Sequence, residues 1–165
     1  MARILALDVG EARIGVAISD ASQILASPYT TLEVAGNEAR LWETLRRIVE
    51  ENEAEALVVG LPVSLDGQIH QQGERVLAFV ERLKRHIRIP VDLWDERLST
   101  VEAQRLLAER EQEEGGRRPR RGSRQGGQGK KGRNRQGQGL DALAAALILQ
   151  QYLNHRHQAS EEASQ

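Results

Sequence analysis

The sequence predicts an α/β domain built on a mixed five-stranded sheet, a three-stranded antiparallel meander plus parallel strands, flanked by helices. Three apolar segments at 3–9, 14–20 and 24–34 follow one another across short turns, as the strands of a meander do. Beyond residue 37, helical and strand patterns alternate, which requires crossovers that lay strands parallel and place helices on the sheet faces. A length of 165 residues suits a single domain with a core of its own, and the absence of cysteine rules out disulfide staples and thiolate metal sites.

Each element has its own local reason. RILALDV, 3–9, reads as a buried strand entering a turn at Gly10–Arg13, and IGVAISD, 14–20, as its hairpin return. ILASPYTTLEV, 24–34, is a weaker strand whose Pro28 suits an edge or a bulge. Between Glu38 and Glu51, Leu41, Leu45, Ile48 and Val49 share one helical face. EALVVGLP, 55–62, is a continuous apolar strand, followed by a loop with an Asp66–Gly67 turn and a helix presenting Val76, Val80 and Leu83. VDLWDE, 91–96, reads as the last strand, and Ser99 with Glu102 forms a capping box that starts a helix near Thr100. LDALAAALILQQYL, 140–153, is apolar nearly all round and therefore a buried helix, followed by a polar tail over 154–165 expected to fray.

Charge is segregated along the chain. The net charge of −1 conceals nine Arg and Lys with no acid in 115–139, leaving the remainder at −10. Residues 112–139 are rich in glycine and follow no period, so they are expected to form a disordered insertion within one domain spanning 1–153. Aromatic residues make up only 3%, which argues against a nucleic-acid surface built on base stacking. No apolar run approaches a signal peptide or a spanning helix, so a cytoplasmic protein with no membrane partner is expected.

Three acids occupy unusual places. Asp8 lies inside an apolar run, where an ionised side chain is costly unless it meets a cation or the strand end. Asp95 and Glu96 end the last strand, and Asp141 stands at or beside the start of the buried helix. Neighbouring strands with that helix across their ends would gather a carboxylate cluster suited to hard divalent ions and phosphodiester hydrolysis. Plainer roles stay open. Asp8 could be a turn residue, Asp95 a solvated acid, Glu96 a partner of Arg97 or Arg13, and Asp141 an N-cap. Asp20 and Asp66 are assigned to turns, and His155 and His157 to an inert tail.

At this point four ordered blocks become recognisable: LALDVGEARIGVAISD, VVGLPVSLDG with the Glu74–Leu83 helix, LWDERLSTVEAQRLL, and LDALAAALILQQYL. Together they resemble the YqgF family of Holliday-junction-resolvase-like and pre-16S ribosomal RNA nucleases, over roughly 3–110 and 140–153. The resemblance implies a ribonuclease H-like fold and a nuclease site in which Asp8, Glu96 and Asp141 are catalytic and hold Mg2+ or Mn2+, as two ions. It implies RNA as substrate, in maturation of the 16S precursor on the ribosomal precursor particle, with branched DNA or a non-catalytic RNA-binding assembly factor as alternatives. Sugar kinases and actin-like ATPases share the Asp-x-Gly hairpin, but they need a second domain for which 165 residues leave no room.

The insertion departs from the family, which carries a shorter basic loop there. Arg117, Arg118, Arg120, Arg121, Arg124, Lys130, Lys131, Arg133 and Arg135 are read as a strap that holds RNA phosphates beside an acidic body, with Arg13 as a further phosphate contact or a surface ion pair. Oligomeric state is not legible in the sequence.

Overall fold

A computed structural model of the chain describes residues 2–34, 36–64, 66–96 and 134–164, with backbone alone for 134–138. The strands are β1 (Arg3–Val9), β2 (Arg13–Ser19), β3 (Ala26–Glu33), β4 (Ala54–Leu61) and β5 (Val91–Asp95). The helices are α1 (Glu38–Glu51), α2 (Gln71–His86) and α3 (Asn134–Ala163). The strands form one mixed sheet in the order β3-β2-β1-β4-β5. β1–β2 and β2–β3 pair antiparallel, and β4 pairs parallel with both β1 and β5. The α/β expectation therefore holds, with the meander on one side and the crossover strands on the other.

Side-chain alternation divides the sheet into two cores. Leu5 and Leu7 of β1, Ile14 and Val16 of β2, and Leu57 and Val59 of β4 pack with α1 and α2. Ile4, Ala6, Ala17 and Val58 face the other way and pack with Ala145, Ile148, Leu149 and Leu153 of α3. Asn37 caps α1, its side-chain oxygen accepting from the Arg40 amide at 3.2 Å, and Leu41, Trp42, Leu45 and Ile48 make the buried face. Pro28 lies on the edge strand as expected, at a register shift where Tyr29 is bulged out of the pairing with β2. Ser19 is buried. Its hydroxyl accepts from the Ile4 amide at 2.8 Å, beside the register shift between Arg3 and Ile4, and donates to the Asp20 carbonyl.

One element differs from expectation. The last helix does not begin at Leu140 and end at Leu153, but runs from Asn134 to Ala163, on the order of 45 Å long. The expected disordered segment thus loses its last six residues to α3, and the tail continues the helix. The physical reason is propagation from a buried nucleus, since each added residue costs little once a turn is anchored. The helix is also tied to the sheet: Gln150 accepts from the Ala26 amide and donates to the Ile24 carbonyl, both at 2.9 Å, and in the tail the His157 ring lies 2.9 Å from the Gln23 carbonyl. His155 packs its ring against Trp94, so neither histidine is idle. The helix expected near Thr100 and residues 112–133 of the insertion lie outside the described residues. Among the described residues no helix is long and apolar enough to cross a membrane.

Candidate active site

β1 is the central strand, and it sends Asp8 out on the same face as Ile4 and Ala6, towards α3. Asp8 pairs across the hairpin with Gly15 of β2. On the other side β5 is not β1's neighbour, because β4 lies between them. Glu96 nevertheless shares the α3 face: β5 alternates, Trp94 packs with the α3 cluster, and Glu96 stands two residues on. The same alternation turns Asp95 to the opposite face. The choice between these adjacent acids is therefore made by the pleat.

Two glycines let the pieces approach. Gly60 of β4 separates Asp8 from Glu96, and a Cβ there would collide with the Glu96 carboxylate and with Ile148, which it would meet at 2.7 Å. Gly15 lies directly under α3, where a Cβ would run into the backbone carbonyl of Asp141 and stand 2.9 Å from the Ala142 nitrogen. The sequence reading passed over both residues. Their signal was a glycine in the middle of an apolar strand, which marks close approach of another backbone.

The electrostatics show that the acids feel one another. Asp8 is pushed up to about 6, chiefly by burial and then by the charge of Asp141. Glu96 is pushed up to about 7 by burial, then by Asp8, then by Asp95. Burial disfavours the carboxylate form, and each neighbouring negative charge adds to that cost. Asp141 is not the helix N-cap that one reading allowed. It lies two turns inside α3, where the helix dipole gives it little help. Its cation is Arg13, whose Nε stands 2.9 Å from Asp141 Oδ2. That oxygen is buried and accepts no hydrogen bond, so the pair is an ionic contact without hydrogen-bond alignment. Of the two earlier readings of Arg13, the ion pair is the one present, with Asp141 in place of Glu96.

The hairpin turn beside the acids is braced. The Gly10 amide donates to the Arg13 carbonyl at 2.9 Å, the Val34 amide donates to the Ala12 carbonyl at 3.0 Å, and Arg75 of α2 pairs with Glu11. Asp20 and Asp66 serve turns as expected: Asp20 Oδ1 accepts from the Ile24 and Leu25 amides, and Asp66 Oδ1 from the Gln68 amide. A cleft of about 540 Å3 between β3 and α1, lined by Arg40 and Arg47, contains none of the three acids, so cleft size does not locate this site.

The three carboxylates are of the type that hard divalent ions take, and the buried Asp141 Oδ2, which has an ion-pair partner in Arg13 but accepts no hydrogen bond, is of the kind a cation satisfies. They are neighbours, but they do not close to ligating distance: among the described residues no three acids or histidines are near enough to hold an ion. Of the expected phosphate-binding residues, Arg117, Arg118, Arg120, Arg121, Arg124, Lys130, Lys131 and Arg133 lie outside the described residues. Arg135 falls in the first turn of α3, where only the backbone is described.

Residues 2–155 match the family model described as "RuvX: Holliday junction resolvase". The chain belongs to the RuvX family. Relatives of this chain bear the name "Putative pre-16S rRNA nuclease", among them the following two. The protein of Thermoanaerobacter pseudethanolicus is 41% identical, over 92% of this chain and 96% of its own length. That of Desulforudis audaxviator is 37% identical, over 93% and 95%. Among solved structures, Thermus thermophilus RuvC in complex with a Holliday junction substrate superposes with a TM-score of 0.53 at 15% identity, covering 95% of this chain and 96% of that one. That likeness carries the ribonuclease H-like fold of this RuvX protein. The YqgF blocks of the sequence and the RuvX match describe the same family.

Proposed function

We propose that this RuvX protein is a divalent-metal-dependent nuclease that hydrolyses phosphodiester bonds of RNA, acting in the cytoplasm on the 16S precursor within the ribosomal precursor particle. The observation that carries it is the meeting of Asp8, Glu96 and Asp141, from the central strand, the end of β5 and α3, on one face at one end of the sheet, with Asp8 burdened by Asp141 and Glu96 by Asp8. Carboxylates raised by burial, and secondly by a neighbouring negative charge, are what a cation stabilises most. The relatives' names support RNA as the substrate.

Asp8, Glu96 and Asp141 would hold Mg2+ or Mn2+. Bound as a pair, such ions acidify the attacking water and neutralise the leaving 3′-oxygen. Asp8, on the strand that lies between the elements carrying the other two acids, would hold the ions together with both of them. Its strand is central and paired on both sides, so the carboxylate is held from a rigid base. Gly15 and Gly60 keep Cβ atoms out of the space above the strands, and the braced hairpin fixes Arg13 at the rim. Residues 1–153 make up the nuclease domain, with the basic insertion between β5 and α3 as its arm for RNA.

The deciding experiment is cleavage of a pre-16S 5′ leader by the full chain with Mg2+, with Mn2+ and with EDTA, alongside Asp8→Asn. Wild-type cleavage lost in EDTA and reduced at least about a hundredfold in the variant is the expected result. Full activity in Asp8→Asn overturns the site, and cleavage in EDTA overturns the metal. A four-way DNA junction runs in parallel because the family's description names that substrate. Preference for the junction would replace RNA by branched DNA in the same site.

A further inference from the structure

We propose that Arg13 is an internal counter-cation that holds Asp141 out of the ion site, and that uptake of a divalent ion frees it to contact the substrate phosphate. This rests on the nuclease reading above. Arg13 and Gly15 project from the same face of β2, and Gly15 lies against the Asp141 backbone. The two backbones are thus fixed relative to each other, and side-chain torsions alone decide what the Asp141 carboxylate faces. It faces Arg13 Nε at 2.9 Å, through an oxygen that is buried and accepts no hydrogen bond. Among the described residues no three acids or histidines are near enough to hold an ion.

The arginine supplies the positive charge that an ion would supply, at the one carboxylate that comes from another layer of the fold. The contact is built to be exchanged. Both side chains are about a third exposed, at 34% and 28%, and the guanidinium lacks the aligned fork that makes arginine–carboxylate pairs strong. Once displaced, a guanidinium tethered at the rim of the acids suits a phosphate oxygen, for which its planar donors are shaped.

The test is a Mn2+ titration of the full chain followed by electron paramagnetic resonance, comparing wild type, R13Q and R13K. A unit positive charge about 5 Å from a divalent ion lowers affinity by at least roughly tenfold, the value for full screening by water. R13Q should therefore bind Mn2+ at least roughly tenfold more tightly, while R13K stays near wild type. Equal or weaker binding by R13Q overturns the proposal, because a purely structural ion pair would leave Asp141 misplaced when broken. Should R13Q lack a cooperative melt, R13M, which keeps the aliphatic stem and drops the charge, is read in its place.

The second half is read by binding of a short single-stranded RNA in Ca2+, where R13Q should lose affinity and shed about 0.7 from the salt slope. An unchanged slope overturns that half. Wild-type protein that binds Mn2+ but cuts nothing defeats the nuclease reading and still lets the Mn2+ comparison decide the role of Arg13. Protein that binds no Mn2+ in any form overturns both.

Discussion

Gly15→Ala is the substitution on which the geometry of the site can be judged most directly. The added methyl would lie well under 3.0 Å from the carbonyl oxygen and carbon of Asp141 and 2.9 Å from the Ala142 nitrogen. All three are backbone atoms of a helix, so no side chain can rotate away, and α3 must retreat by about 1 Å to clear it. Overpacking of this kind costs about 1–3 kcal/mol. In a domain of this size that is a fall in Tm of roughly 2–12 °C. The retreat carries Asp141 from Asp8, and a misplacement of about 1 Å at reacting groups costs on the order of a hundredfold in rate. The assay pairs a thermal melt with Mg2+-dependent cleavage. Gly36→Ala is the control, because nothing lies within 4 Å of its Cβ position and any penalty comes only from its φ of +99°. A Gly15→Ala protein with wild-type cleavage would refute the role assigned to the α3 docking distance, whatever its melt.

Acidity should read out in the metal-free protein. Asp8 at about 6 and Glu96 at about 7 stand above their ordinary values of 3.8 and 4.5, so the folded chain holds protons that the unfolded chain releases. Stability then falls as pH rises from about 4 to about 7, and the loss is complete above that window. Melts in EDTA from pH 4.5 to 8 check this; Asp8→Asn and Glu96→Gln should flatten the profile and raise the unfolding free energy at pH 8, each by at most about 3 kcal/mol. Mg2+ or Mn2+ should stabilise more at pH 8 than at pH 5, since ions bind the carboxylate form. Ser19→Ala should cost about 1–3 kcal/mol, measured by urea unfolding, because it strands the buried Ile4 amide. Deleting 115–133, which spares α3 and removes eight cations, should lower the salt slope of RNA binding by at most about 6 and leave cleavage of a very short RNA intact.

Much of the fold was legible because local and tertiary preferences agree. The α1 limits, Glu38 to Glu51, follow from one apolar face, and the Pro28 edge strand from a residue that cannot donate to a ladder. Asp8 was legible for the opposite reason, since a carboxylate in RILALDV breaks the local rule. The insertion of β4 between β1 and β5 was not legible, because strand order depends on crossovers that leave no mark on either strand. Arg13 could be placed near the acids but not assigned to one, since a long side chain reaches several partners from one turn. The ends of α3 were missed because 134–139 and 154–163 have the composition of a loop; at the C-terminal end a tertiary contact through His157 favours the helix.

The docking of α3 across the sheet also fixes when the acidic cluster exists. Among the described residues, most of the apolar cover of Ile4, Ala6, Ala17 and Val58 comes from that helix, and Asp141 arrives with it. Synthesis proceeds from Asp8 towards Asp141, so a ribosome-bound chain carries Asp8 and Glu96 long before their third partner emerges. An enzyme proposed to cut ribosomal RNA would thus stay chemically incomplete until nearly the whole domain has left the ribosome that makes it.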